Sequence, residues 1–286
     1  MSFLFRKKKR SALPESKSTT LSWDYKAVAA TDVGSVRDNN EDYLLFSRPF
    51  DKGIRNSHGC LALVADGMGG HSSGEIASKM ATEIISRSYF DSKYGILEAL
   101  RKAFEKANKA IYQKAAKRPR LKGMGTTCTA LVLRENHMYL AHVGDSRAYL
   151  LKGNRLIQLS TDHTYVQHLL DSGQISHKES LSHPQRNVIT RAMGTSPKVD
   201  AEYQQLSHTF EEGDRLLICS DGLYEYIQEQ ELGQILSGKN MNELAQMLIS
   251  IAKKRGGHDN ISVLIAEAIK TSSGEEAKET QKINLS

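Results

Sequence analysis

Four acidic motifs, separated by long stretches of ordinary sequence, constrain the fold of this chain more than any other feature, because together they describe one site. They are Arg37-Asp38-Asn39-Asn40-Glu41-Asp42, Asp66-Gly67-Met68-Gly69-Gly70-His71, Ser220-Asp221-Gly222 and Gly257-His258-Asp259-Asn260. Two of them directly follow apolar runs, residues 61–65 and 216–219, so a carboxylate stands where a strand gives way to a loop. Carboxylate oxygens held at strand ends suit a hard divalent cation such as Mg²⁺ or Mn²⁺. The pattern points to cation-assisted chemistry on a phosphate.

With 286 residues, 39% apolar and 25% charged, the chain can bury a full core. No window approaches the roughly 18 apolar residues of a membrane span. Cys60, Cys128 and Cys219 are odd in number and set inside apolar runs, against both a disulfide framework and a zinc site. A reducing cytoplasmic setting is expected. The net charge is +6, but residues 6–10 supply five of those charges and leave +1 for everything else, so no nucleic-acid face is indicated.

Residues 1–22 read as a disordered basic arm, since the charge block is mixed with Ser, Pro and Lys and carries no periodicity. No apolar stretch follows it, unlike a secretory signal. Phe3, Leu4 and Phe5 beside the basic block would give a weak contact with an anionic membrane; a solvated tail is the plainer alternative. Residues 23–269 hold no linker or repeat and read as one domain, and residues 270–286 as a flexible polar tail.

Residues 25–31, 43–46 and 60–65 are expected as strands. Residues 73–89 and 96–116 carry apolar side chains at helical spacing, among them Ile76, Met80 and Ile84, then Leu97, Leu100 and Phe104. From 127 to 159, four short runs broken at 134–136, 144–145 and 152–154 suggest an antiparallel meander. A strand at 215–219, a helix at 241–254 and a strand at 261–266 complete the pattern. Strands grouped with strands and helices with helices argue for α+β, two antiparallel sheets covered by helix pairs.

The ordered set Arg37…Glu41-Asp42, Asp66-Gly67-Met68-Gly69-Gly70-His71, Gly125-Thr126-Thr127, Gly144-Asp145-Ser146-Arg147, Ser220-Asp221-Gly222 and Asp259-Asn260 resembles the PP2C (PPM) family of metal-dependent protein serine/threonine phosphatases, in its bacterial branch. The resemblance runs over residues 25–266. It implies a four-layer α-β-β-α sandwich with cations in a cleft at one edge of the sheets. It also implies dephosphorylation of phosphoserine and phosphothreonine on proteins, in opposition to a Ser/Thr protein kinase, by a monomer with two Mg²⁺ or Mn²⁺ ions and a third, weaker one.

A phosphomonoester dianion repels nucleophiles, and two cations about 3.5–4 Å apart both neutralise it and lower the pKa of a bridging water. By the resemblance, Asp66 bridges the two ions with the Gly67 carbonyl completing one site. Glu41, Asp221 and Asp259 hold the second ion, Asp42 hydrogen-bonds a water, and Arg37 grips the phosphate. Asp145 sits near the third ion, shared with Asp221; the plainer reading is a hairpin turn with Arg147 as its partner. Met68 departs from the animal-type relatives, where a histidine stands as a general acid, so water or a distant His71 is left for that role. Residues 160–197, with His163, His168, His177 and His183, resemble a solvated, substrate-facing flap.

Two competing signatures fail on context. Cys128 and Arg134 match the spacing of cysteine-based phosphatases, but the residues between them form a strand with no glycine to cradle phosphate. Gly67-x-Gly69 lacks the third glycine of a dinucleotide fingerprint, and Asp66 would repel a pyrophosphate. A catalytically silent phosphoprotein-binding scaffold is the remaining alternative, and intact carboxylates argue against it.

Overall fold

The structure is a computed structural model that describes residues 21–69, 73–272 and 281–285. In chain order the first half comprises β1 (Leu21–Asp32), β2 (Asp42–Arg48), α1 (Lys52–His58), β3 (Cys60–Met68), α2 (Ser73–Phe90), α3 (Ile96–Lys117), β4 (Gly125–Thr126), β5 (Cys128–Arg134) and β6 (His137–Val143). There follow β7 (Arg147–Lys152), β8 (Arg155–Gln158), α4 (Tyr165–Asp171), α5 (His177–Leu181), β9 (Glu202–Thr209) and β10 (Arg215–Cys219). The chain closes with α6 (Asp221–Tyr224), α7 (Glu229–Leu236), α8 (Met241–Lys254), β11 (Ile261–Ser272) and β12 (Gln281–Leu285).

Period-two alternation sorts the strand residues between two cores. On β3, Leu61, Leu63 and Ala65 join Ala77, Ala81 and Ile85 of α2 and Leu100 and Phe104 of α3 in one cluster. The alternate residues Cys60, Ala62 and Val64 instead meet Leu216, Ile218, Leu264 and Ala266 of the opposite sheet. A third core packs Leu217, Cys219, Val263 and Ile265 under Leu232 and Leu236 of α7 and Leu244 and Leu248 of α8. Because helices cover both outer faces, the central strands are apolar on both sides and read as continuous runs rather than alternating ones. The result is the expected α-β-β-α sandwich. One sheet runs β1-β11-β10-β7-β8 and the other β12-β2-β3-β5-β6-β9, with β4 paired to β3, all antiparallel.

The expected meander over 127–159 divides between the sheets. β5 pairs with β6 and β7 with β8, but β6 belongs to one sheet and β7 to the other, so Gly144-Asp145-Ser146 is a crossing between layers and not a hairpin turn. The flexible tail from residue 270 also needs correction, because β11 runs to Ser272 and residues 281–285 pair with β2. Ile283 and Leu285 pack against the inter-sheet core there, a period-two signal too short to stand out in a polar segment. β1 likewise starts at Leu21, inside the stretch read as arm, while residues 1–20 lie outside the described residues.

Candidate metal centre

Strand register brings the acidic motifs together. Asp42 opens β2 directly opposite Asp66 near the end of β3. On the other sheet, Cys219 at the end of β10 pairs with Val263 of β11 and with Arg147 at the start of β7. Asp221, Asp259 and Asp145 therefore leave their strands at one end of the sandwich. The links at 33–41 and 144–146 both cross from one sheet to the other there.

Asn260 ties this end together. Its side chain accepts from the Glu41 N–H at 2.7 Å and donates to the carbonyls of Val33 at 3.0 Å and Asn39 at 2.9 Å. Its own N–H donates to Asp259 at 2.8 Å. The Ser220 hydroxyl donates to Asp42 at 2.8 Å and accepts from the Ser262 N–H at 3.0 Å. At the same end, the hydroxyls of Thr127 and Ser146 lie 2.8 Å apart, and Thr127 also receives the Asp66 N–H at 3.0 Å. Gly67 and Gly74 touch backbone to backbone: a Cβ on Gly67 would lie 2.3 Å from the Gly74 carbonyl oxygen and 2.5 Å from that of Glu41. This contact seats the start of α2 against the Asp66 strand, and the Gly67 N–H donates to the Glu41 carbonyl at 3.1 Å.

The carboxylates repel one another. Burial first, then the charges of Asp42, Asp221, Asp145 and Asp259, raise the pKa of Asp66 well above the usual aspartate range. Asp221 is raised in the same way, by burial and then by Asp145 and Asp259. Burial lifts Asp42 to about 6 and Asp145 to about 7, and it also raises Glu41. Oδ1 of Asp42, Asp145 and Asp221 is buried without a hydrogen-bond partner. An unpaired buried charge costs several kcal/mol, so positive charge placed among these groups would favour their ionised forms.

Among the described residues no three His, Cys, Asp or Glu side chains already converge as a preformed ligand cluster. The case for cations rests instead on the orphaned oxygens and their mutual repulsion. An all-oxygen donor set fits Mg²⁺ or Mn²⁺. The three cysteines are free and buried within strands, away from any ligand role.

Arg37 pairs with Asp259 through Nη2 at 2.6 Å, and both side chains are partly exposed. Arg147 lowers the Asp145 pKa through its charge, but its hydrogen bonds go elsewhere. It binds the Asp162 carboxylate at 2.7–3.0 Å and lies 3.7 Å over the Tyr224 ring, whose hydroxyl donates to the Asp145 carbonyl at 3.1 Å. The partner that the hairpin reading named is thus ion-paired to Asp162.

His163, expected on a solvated flap, is 5% exposed, its ring tilted at 40° to that of His142 with centroids 4.8 Å apart. Burial is its first perturbation and lowers its pKa. His168 and His177 are exposed, and His71 lies outside the described residues. Sequence reasoning missed the roles of Ser220, Thr127, Ser146 and Tyr224. Three of these belong to quoted motifs; Tyr224 carried no signal.

A sandwich that drives buried, under-partnered carboxylates to one edge, with oxygen donors alone, can receive hard divalent cations of the kind that activate water toward phosphate esters. The protein phosphatase 2C family profile matches residues 26–168, and the chain belongs to that family. It is 37% identical over 256 residues to the serine/threonine phosphatase stp of Listeria monocytogenes, covering 86% of this chain and 97% of that one. The Mycobacterium tuberculosis serine/threonine phosphatase PstP/Ppp superposes with a TM-score of 0.75 at 36% identity, over 85% of this chain and 98% of that one. The PstP catalytic domain in complex with two manganese ions superposes with a TM-score of 0.73 at 35% identity, over 87% of this chain and all of that one.

Proposed function

We propose that this chain is a Mg²⁺- or Mn²⁺-dependent protein phosphatase that removes phosphate from phosphoserine and phosphothreonine. The observation that carries the reading is the set of buried carboxylate oxygens at Asp42, Asp145 and Asp221 left without partners beside Asp66. Two divalent cations, and a weaker third, would neutralise the phosphate dianion there and make water acidic enough to attack phosphorus near neutral pH.

In this reading Asp66, the Gly67 carbonyl, Glu41, Asp221 and Asp259 would together hold two tightly bound ions. Asp145 and Asp221, whose charges already act on one another, would hold a weaker third. Oδ1 of Asp42, buried while Oδ2 is held by Ser220, accepts a hydrogen bond from the attacking water. Arg37, on the exposed rim, takes the phosphate oxygens through its guanidinium fork. Water oxygen adds to phosphorus, the ester P–O bond breaks, and the leaving seryl or threonyl oxygen takes a proton. Met68 has none to give, so that proton comes from water.

The reading extends to partners in three respects. A cognate Ser/Thr protein kinase supplies the phosphorylated substrates. The chain works as a monomer in the cytoplasm, a setting that three free cysteines suit and in which no helix among the described residues is long and apolar enough to cross a membrane. The basic arm, with Phe3, Leu4 and Phe5 next to five consecutive cations, makes a weak contact with anionic lipid.

Purified protein incubated with a phosphothreonine peptide should release phosphate with Mn²⁺ and none in EDTA. Stoichiometric peptide binding without turnover in Mn²⁺ would favour the silent scaffold. Deletion of residues 1–20 should leave kcat/KM intact while abolishing cosedimentation with phosphatidylserine vesicles.

A further inference from the structure

Two consecutive residues from a distant part of the chain close on both ends of the Gly144-Asp145-Ser146-Arg147 crossing. At the first end, the His163 N–H donates to the Gly144 carbonyl at 2.7 Å, and His163 Nδ1 accepts the Gly144 N–H at 3.1 Å. Nδ1 is therefore unprotonated, and Nε2–H donates to Glu202 at 3.2 Å. At the other end the Asp162 carboxylate receives the Arg147 guanidinium, which is packed on Tyr224. Asp162 and His163 are both buried, at 8% and 5% exposure. Gly144 has φ of +109°, and a Cβ there would sit 2.5 Å from Thr127 Cβ, so this end of the crossing has no slack. Every one of these contacts fixes the backbone around Asp145, and none occupies Oδ1 of its carboxylate.

The same histidine is the neck of the segment that follows. The Thr190 N–H and hydroxyl both donate to the His163 carbonyl, at 2.8 and 3.0 Å, and Thr164 bridges Ile189. The stretch carrying α4 and α5 thus leaves and returns at His163. Its outer surface exposes Leu181 and Val188, at 60% and 46%. A polypeptide pressing on that surface would load the neck, and the neck is bonded to Gly144.

We propose that Asp162 and His163 are a positioning pair for Asp145, through which the segment 164–190 sets the cation affinity of that carboxylate. The inference rests on the reading of Asp145 as a ligand of the weaker third ion. His163 touches neither substrate nor cation in this scheme; it acts through Gly144.

Calorimetric Mn²⁺ titration of the full chain tests it, alongside melting temperature and phosphopeptide kinetics. His163→Leu removes the acceptor for Gly144 and should weaken the third Mn²⁺ site by about 10–100-fold, the usual effect of losing an outer partner of a metal ligand. The two tight sites should be unchanged. His163→Asn, whose Oδ1 can stand in for Nδ1, should recover most of that affinity, which a loss of packing alone would not permit. Combined with Asp145→Ala, His163→Leu should add nothing further, because the two act in series. A wild-type third site in His163→Leu, beside a lost one in Asp145→Ala, would overturn the positioning role and leave the ligand reading standing. A third site that survives Asp145→Ala would overturn both. Should His163→Leu fail to fold, Asp162→Asn keeps the side-chain shape and is read by the same titration: a weakened third site supports the pair, an unchanged one overturns it.

Discussion

The proposed chemistry depends most on Asp66, whose pKa is raised by burial and then by the charges of Asp42, Asp221, Asp145 and Asp259. Asp66→Asn removes the charge but keeps the shape, so the fold should persist and turnover should vanish; retention of more than a tenth of wild-type kcat/KM, a loss under about 1.4 kcal/mol in barrier terms, would contradict its role in holding the ions. Arg37→Ala separates two roles. It frees Asp259 from its 2.6 Å ion pair, so Mn²⁺ affinity should hold or tighten while phosphopeptide kcat/KM falls by tenfold or more; an unchanged kcat/KM would remove Arg37 from the phosphate. The acidic residues stood out in the sequence because they cluster near strand ends, with Asp66, Asp221 and Asp259 each in an Asp-Gly or Asp-Asn pair. The side chains that hold them stood out less. Ser220 and Asn260 sit inside the motifs, but nothing in a linear pattern shows that a tyrosine at 224 reaches the carbonyl of residue 145.

At the scale of elements, the contact between Gly67 of β3 and Gly74 of α2 places the helix over the site. Gly67→Ala would force a Cβ to within 2.3–2.5 Å of three backbone atoms. Overpacking of this kind costs about 1–3 kcal/mol, and each kcal/mol lowers the melting temperature of a domain this size by about 2–4 °C. Weaker Mn²⁺ binding should accompany the fall; an unshifted melting curve would show that the two strands of backbone separate freely. Long apolar elements such as α2, α3, α8 and β3 announced themselves, since burial on one or two faces leaves a strong period. Elements not expected from sequence include α1, with no buried residue, and β9, an edge strand whose buried apolar residue is Leu206, besides β4, α4, α5, α6, α7 and β12. The division of the 127–159 strands between two sheets was also invisible, because pairing partners and not local pattern decide which layer a strand joins.

For the whole molecule, the raised carboxylate pKa values make stability depend on pH and cations together. Asp42 and Asp145 have folded-state values near 6 and 7, above their unfolded value of 3.8, so the fold binds more protons than the open chain in between. Their contribution is fully present below pH 3.8 and is lost as pH rises through about 7. In EDTA, moving from pH 5.5 to pH 8 should therefore lower the melting temperature. In saturating Mn²⁺ the order should reverse, since the ions bind the ionised carboxylates. Equal pH slopes in both conditions would show that these groups do not face the ions.

The most direct measurement is a calorimetric titration of Mn²⁺ into the EDTA-stripped, dialysed protein and its Asp66→Asn variant at pH 7.5, with phosphate release from a phosphothreonine peptide followed on the same samples. Wild-type protein should take up at least two ions and regain turnover as they fill, and the folded Asp66→Asn variant should do neither. Phosphate release that persists in EDTA, from a protein that binds no Mn²⁺, would contradict the assignment of the buried carboxylates as the cation centre.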